Sequence, residues 1–273
     1  MAVLVTGATG TVGRQLTAQL VAEGQVVRAM TRNPAGANPP SGAAVVGGDL
    51  TDADSLVDAL AGVDAVHLID FDATTYSALP NGADVVRRVA DAGARKVTVL
   101  QGDIEKTPLV RALEASDLEW TLLAPVEFMA NTLEWAESIR TEGVVRDGFA
   151  AAKSAMVHEA DIAAVAAVAL TTDGHAGQEY WLTGPESLNA REKVDTLAEV
   201  LGRRLRFVEL SQDEIVAQWR QAGFADSDID YFLAMRTNPS EAGYTVQETV
   251  HRVTGRAPRT FADWVRENAA SFR

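Results

Sequence analysis

Val3-Leu4-Val5-Thr6-Gly7-Ala8-Thr9-Gly10-Thr11-Val12-Gly13 carries an apolar strand straight into three glycines spaced to open a helix. The first glycine allows a sharp turn. The second lets backbone approach a pyrophosphate with no Cβ in the way, and the third permits close packing of helix on strand. Backbone N–H groups at the start of the helix then meet the phosphate charge. Leu16, Leu20 and Val21 share one face of that helix before Gly24 ends it. Gly7, Thr9, Gly10, Thr11, Val12 and Gly13 are thus the expected cradle of a dinucleotide.

Beyond Gly24, the run Gln25-Val26-Val27-Arg28-Ala29-Met30 has the pattern of the neighbouring parallel strand and ends in Thr31-Arg32-Asn33-Pro34. Where an NAD site sets an acidic residue against the ribose hydroxyls, this chain has Arg32. A planar guanidinium suits a 2′-phosphate through a charge-assisted contact, and an aspartate there would repel it. NADP(H) is expected in preference to NAD(H), with a solvated loop cation as the plainer reading of Arg32.

Composition sets the frame. With 273 residues, 47% of them hydrophobic, the chain can bury the core of one large α/β domain or of a domain with a smaller lobe. A formal charge of −14 leaves no electrostatic footprint for nucleic acid or for an anionic membrane surface. The absence of cysteine excludes disulfides, a thiolate nucleophile and Cys-ligated zinc. His67, His158, His175 and His251 show no metal-ligand spacing. The first strand begins at once, without a basic leader, and no apolar run approaches ~18 residues. A cytoplasmic protein is the expectation.

Short apolar runs at 43–46, 65–69, 97–100 and 120–124 alternate with helix-length segments. Such alternation predicts a Rossmann-type, doubly wound parallel sheet with helices on both faces. The expected division is a dinucleotide-binding domain over 1–150 and a smaller α/β substrate lobe over 151–273, some of whose segments return to the first core. Gly48-Asp49-Leu50-Thr51-Asp52 leads into a helix bearing Leu56, Val57 and Leu60, with Thr51 or Asp52 as its cap. Asp49 is equally a turn residue or, with Leu50, an adenine contact at a strand's carboxyl end.

Later strand ends face the nicotinamide half: Asp70 and Phe71, then Gln101-Gly102-Asp103, then Pro125-Val126-Glu127-Phe128. Phe128 and Met129 open an amphipathic helix with Leu133 and Trp135, which reads as a pocket wall or as ordinary core. Asp70 and Asp72 could form an acid–base pair, though two acids in an exposed loop are more often solvated. Trp219, Phe224, Tyr231, Phe232 and Met235 occupy helical stretches between 213 and 236 that suit a pocket lid as well as core. Thr260 is placed to cap a last helix with Phe261, Trp264 and Val265.

Taken together, the glycine opening, Thr31-Arg32-Asn33-Pro34, Gly48-Asp49-Leu50, the run from Ser116 to Pro125 and Phe128-Met129-Ala130-Asn131 resemble the NmrA-like family of atypical short-chain dehydrogenases. His158-Glu159-Ala160-Asp161-Ile162-Ala163, Tyr180-Trp181-Leu182-Thr183-Gly184-Pro185, Leu201-Gly202-Arg203 and Thr254-Gly255-Arg256-Ala257-Pro258 extend the likeness over nearly the whole chain. The resemblance implies an NADP-binding Rossmann domain with a small lobe closing over the nicotinamide. It also implies a reductase of quinones or aromatic ketones, or else a catalytically silent redox sensor acting through a protein partner. A non-redox isomerase or lyase retaining NADP is the third option, and a homodimer is compatible with any of them.

The wider superfamily's Tyr-x-x-x-Lys pair is missing: Tyr76, Tyr180, Tyr231 and Tyr244 are followed four positions on by Pro80, Gly184, Met235 and Glu248. The loop from Leu100 to Pro108 is compact, with Lys106 alone able to replace the lysine that many members carry after the fifth strand. Arg111 stands near a common glutamate, and Ala124 replaces the usual arginine before Pro125. Hydride delivered to a quinone or extended conjugated system leaves a stabilised anion that water can protonate, whereas a simple ketone would need a donor. The expected acceptor is therefore quinone-like or polycyclic. His158, beside Met156 and Val157, is the remaining acid–base candidate, against the commoner structural role of a lone histidine. The expected substrate contacts are Phe128, Met129, Trp135, Met156, His158 and Met235.

Overall fold

A computed structural model describes residues 1–75, 77–102 and 105–273, with Ser227 described by its backbone. Asp103, expected at the sheet top, and Tyr76 lie outside the described residues. Seven strands form one sheet: β1 (Ala2–Val5), β2 (Val26–Thr31), β3 (Ala44–Gly47), β4 (Ala65–Ile69), β5 (Lys96–Leu100), β6 (Glu119–Pro125) and β7 (Gln178–Leu182). Their spatial order is β3-β2-β1-β4-β5-β6-β7, and every neighbouring pair is parallel. Burial on both faces explains why β1 and β4 are nearly continuous apolar runs rather than alternating ones. All five residues of β4 are buried, His67 included.

The chain divides into two compact units. The first comprises Met1–Pro125, Glu159–Leu182 and Thr249–Arg256. Within it α1 (Thr11–Ala22) packs along α4 (Glu159–Thr171), and α2 (Gly82–Asp91) along α3 (Pro108–Glu114). The alanine-rich α4 is apolar on almost every side, as a helix enclosed by protein should be, and Gln19 Nε2 donates to Ala160 O at 2.9 Å to fix it against α1. The expected helix after Asp52 is shorter than its apolar spacing suggests: a 3₁₀ turn over Ala53–Leu56 runs into one helical turn, Val57–Leu60. Asp52 caps it by accepting Asp54 N.

The second unit comprises Val126–His158, Thr183–Glu248 and Ala257–Arg273. Strand Val144–Gly148 pairs in parallel with Arg206–Leu210, and Lys153–Ser154 pairs antiparallel with Leu188–Asn189. The helix expected from Phe128 begins as 3₁₀ over Met129–Trp135, where Asn131 and Thr132 are poor helix formers, and becomes α-helical over Ala136–Glu142. Met129, Trp135, Ile139, Met156, Leu197, Phe261 and Trp264 form the heart of this unit's core. Capping boxes open three of its helices, at Asn189 with Glu192, Ser211 with Glu214, and Thr260 with Asp263. Among the described residues, no helix is long and apolar enough to cross a membrane.

Candidate functional site

The glycine turn has the conformation its sequence requires. Gly7 sits at φ +58°, in the left-handed region, and Gly10 N donates to Gly7 O at 2.9 Å to close the turn. A Cβ on Gly13 would stand 2.2 Å from Gly7 O, so only glycine lets α1 start this close to β1. Gly10 caps α1 without any side-chain hydrogen bond, and no acidic residue lies in the helix's first turn. The first N–H groups of α1 are thus unclaimed by side chains, which is the electrostatic preparation an anion needs. Thr9, Gly10 and Thr11 are exposed at this turn, while Val12 and Gly13 are buried against the sheet.

Beside it lies a cleft of about 140 Å³ at the carboxyl ends of β1, β2, β3 and β4, where the strand order reverses. Ligands of doubly wound sheets bind at such a reversal. Gly7, Thr9, Arg32, Asp49, Leu50, Phe71 and Asp72 line it, so most of the residues expected to hold a dinucleotide share one surface. Asp49 fills its turn role, with Oδ1 accepting Thr51 N at 2.9 Å and Thr51 Oγ1 at 2.8 Å, while still facing the cleft. Asn81 Nδ2 donates to Leu50 O at 2.9 Å and steadies that wall. Arg32 is half-exposed, its Nη1 donating to Thr74 Oγ1 at 2.6 Å and standing 3.5 Å from Asp72 Oδ1.

Asp70 differs from its expected place in an exposed loop: it is fully buried. Its Oδ1 accepts Gly102 N at 2.8 Å, and Oδ2 accepts Thr107 Oγ1 at 3.3 Å. Thr107 in turn caps α3. Asp70 therefore ties the end of β4 to the loop after β5, and it is separated in role from Asp72. A Cβ on Gly102 would meet Phe71 Cδ1 at 2.5 Å, so the aromatic ring lies flush on this glycine. Gln101 N donates to Leu123 O at 3.0 Å, and Pro125 ends β6 half-buried. The side-chain oxygens of Gln101 and Asn81 are buried and have no hydrogen-bond partner among the described residues. Open helix N–H groups, a guanidinium at the cleft and orphaned acceptors at the sheet top fit a phosphorylated dinucleotide. Lys106 is half-exposed and ion-paired with Glu114 at 2.5 Å.

In the second unit, Met129, Trp135 and Met156 are buried in the core, whereas Phe128 and Met235 are half-buried. His158 is buried too, its Nε2 lying 3.2 Å from Glu267 Oε2. Sequence reasoning missed a charged cluster in this unit, around a cavity of about 20 Å³. Lys193 Nζ bonds Glu127 Oε2 at 3.0 Å, and Arg236 Nη1 stands 3.4 Å from Asp147 Oδ2. Burial pushes the Glu127 carboxyl up, but Lys193, the Ser154 hydroxyl and Arg236 outweigh it and hold the group below its usual range. Burial wins at Asp147, which is raised despite Arg236. Glu134, lining the same cavity, is pushed up to about 7 by desolvation and then by Asp147. The signal for Lys193 was present: Ala190, Lys193, Val194 and Leu197 follow i, i+3, i+4, i+7, placing the lysine in a buried stripe.

Comparison with known proteins gives the family. The family model described as NAD(P)H-binding matches residues 7–105. The (4-alkanoyl-5-oxo-2,5-dihydrofuran-3-yl)methyl phosphate reductase of Streptomyces griseus is 38% identical, with 99% of each chain covered. The NAD(P)H azoreductase of Xenophilus azovorans is 30% identical over 99% of each chain. Among solved structures, the NADPH complex of the Escherichia coli quinone oxidoreductase QOR2 superposes with a TM-score of 0.80 at 25% identity, covering 98% of this chain and 99% of the other. The chain belongs to the NAD(P)H-binding, NmrA-like group of atypical short-chain dehydrogenases and reductases. It acts as an NAD(P)H-dependent oxidoreductase, and its cofactor is NADP(H).

Proposed function

We propose that this chain reduces a quinone or another planar aromatic or polycyclic carbonyl at the expense of NADPH. The observation that carries the choice of acceptor is the missing proton-donor pair: no tyrosine here is followed four residues later by lysine. Tyr180 is buried, with its hydroxyl 2.8 Å from His175 Nδ1. An acceptor whose reduced form is a delocalised anion needs no protein proton donor, and a simple ketone does. The names of the azoreductase and quinone oxidoreductase relatives support the same class of acceptor.

The cofactor supplies the hydride. The chain's task is to bind and align it. In this reading the Gly7–Gly13 turn and the first N–H groups of α1 hold the pyrophosphate, and Arg32 takes the 2′-phosphate. Asp49 and Leu50 flank the adenine. Phe71, Gln101 and Gly102 lie toward the nicotinamide half, where Asp70 fixes Gly102 in place. In the second unit, Phe128 and Met235 are half-buried apolar side chains that an acceptor could meet, while Met129, Trp135 and Met156 belong to the core.

The test mixes purified protein with stoichiometric NADPH and follows reduced-nicotinamide absorbance as quinones, azo dyes, aromatic ketones, aliphatic ketones and a dihydrofuranone phosphate are added singly. Rapid loss with the planar aromatic acceptors, and slow loss with the others, is expected. Faster turnover of the aliphatic ketones or of the dihydrofuranone phosphate would overturn the acceptor class, and tight binding without turnover of any would overturn reduction itself.

A further inference from the structure

We infer that Asp72 sets the balance between NADPH and NADH by competing with the 2′-phosphate for Arg32 and by offering an acceptor to a free ribose 2′-hydroxyl. The inference rests on the reading above, in which the cleft at the ends of β1 to β4 takes the adenosine ribose. Asp72 belongs to the turn that leaves β4. Phe71 bridges to Ala78, and Asp72 N donates to Ser77 O at 2.9 Å, closing the turn. The carboxylate is itself held in position: Oδ1 accepts Thr74 N at 2.9 Å, and Oδ2 accepts Thr75 Oγ1 at 3.2 Å. The Thr74 N–H is the largest of the influences that keep this carboxyl below its usual range, so it is charged at neutral pH.

Arg32 meets this turn through Nη1 alone among the described residues, at Thr74 Oγ1 and opposite Asp72 Oδ1. The rest of the guanidinium fork is left for a ligand. A 2′-phosphate seated on that fork brings close to two negative charges against a carboxylate already 3.5 Å from the same guanidinium. A ribose hydroxyl brings no charge and can donate to the carboxylate of Asp72, which lines the cleft. One residue thus opposes the phosphorylated cofactor and favours the plain one. Arg32 does the reverse, and the pair places both readers of the 2′ position on one surface.

Asp72→Asn isolates the charge, because the amide oxygen can still accept Thr74 N and keep the turn. Calorimetric titration with 2′,5′-ADP and with ADP reads the two adenosine halves without turnover. For Asp72→Asn, 2′,5′-ADP should bind about tenfold more tightly and ADP several-fold more weakly. Arg32→Ala, run alongside, should weaken 2′,5′-ADP by at least about tenfold and leave ADP nearly unchanged. If Arg32→Ala does not affect 2′,5′-ADP, the cleft is not the 2′-phosphate site and the underlying reading fails. If Arg32→Ala behaves as expected while Asp72→Asn moves the ratio of the two affinities by less than about twofold, the role of Asp72 is overturned alone. Thr74→Val, which leaves the charge in place, should not reproduce the shift; an equal shift from it would assign the effect to loop position and overturn the electrostatic account.

Discussion

His67 Nδ1 lies 2.8 Å from Thr98 Oγ1 across β4 and β5, at a position where the two residues are direct register partners and neither reaches solvent. Burial lowers the imidazole from 6.5 to about 4. Its Nε2 has no hydrogen-bond partner among the described residues, so a proton there would gain nothing to offset desolvation. The folded state therefore binds the proton more weakly than the unfolded chain does. The contribution to stability is full above pH 6.5 and is lost as pH drops toward 4, the loss reaching roughly 3 kcal/mol once both states are protonated. Urea unfolding of the parent and of His67→Leu, at pH 7 and at pH 4.5, should show a smaller loss for the variant. Equal losses would mean that His67 takes up its proton equally well in the folded and unfolded states, so that burial does not lower it.

Asp70 supplies a second test, of how the sheet top is assembled. Its two oxygens accept from Gly102 N and Thr107 Oγ1 and so join β4, the loop after β5 and the cap of α3. Asp70→Ala removes the buried acceptor shared by the exposed Gly102 N–H and the buried Thr107 hydroxyl and should cost roughly 2 kcal/mol, whereas Asp70→Asn keeps an acceptor and should cost about 1. NADPH affinity should fall with Asp70→Ala because Gly102 and Phe71 lose their anchor. Denaturant midpoints and a fluorescence titration check both parts; a loss below about 0.5 kcal/mol for Asp70→Ala would remove Asp70 from the scaffold.

Much of the first unit was legible because its signals are local. A strand, three glycines and an apolar helix face lie within residues 3–21, and Gly7 and Gly13 have the roles their spacing announces. Strand β7 carried no such signal. It sits at the sheet edge, and it joins β6 through register pairs such as Leu123 with Tyr180, more than fifty residues apart. The pairing of Val144–Gly148 with Arg206–Leu210 is equally remote in sequence. Charge was the other blind spot. Asp70 and Asp72 look alike in a sequence, yet one is enclosed by hydrogen bonds and the other faces Arg32. What separates them is the β4–β5 pairing, which no local pattern reports.

The glycine turn makes a graded prediction. A methyl group on Gly13 would fall 2.2 Å from Gly7 O and 2.7 Å from Gly7 C, both backbone atoms that move only with β1 or α1. The same methyl on Gly10 would fall 3.2 Å from Gly7 O, a contact relieved by a few tenths of an ångström. Gly13→Ala should therefore cost about 2 kcal/mol or more of stability and at least tenfold in NADPH affinity, with Gly10→Ala clearly milder in stability. Thermal unfolding with and without NADPH separates the two effects. Equal stability losses would show that α1 can back away from the strand freely.

Glu134 offers a directional test of the charged cluster in the second unit. The residue is exposed on one side, yet desolvation by the surrounding protein, followed by the charge of Asp147, raises its carboxyl to about 7. Arg236 and Lys193 pull the other way, and Glu127 adds to the rise. Near neutral pH the cluster of three carboxyls and two bases thus passes between zero and one net negative charge as Glu134 titrates. Neutralising Asp147 as Asp147→Asn should move the Glu134 midpoint down. Removing the positive charge as Arg236→Met should move it up and also destabilise the fold, since Asp147 would be left buried without its cation. Carbon-detected NMR titration of labelled glutamate side chains follows the midpoint directly, and Glu134→Gln assigns the signal. Shifts of the same sign in the two variants would mean that packing rather than charge governs this carboxyl, and a midpoint near 4.5 in the parent would mean that water reaches it too freely for burial to matter.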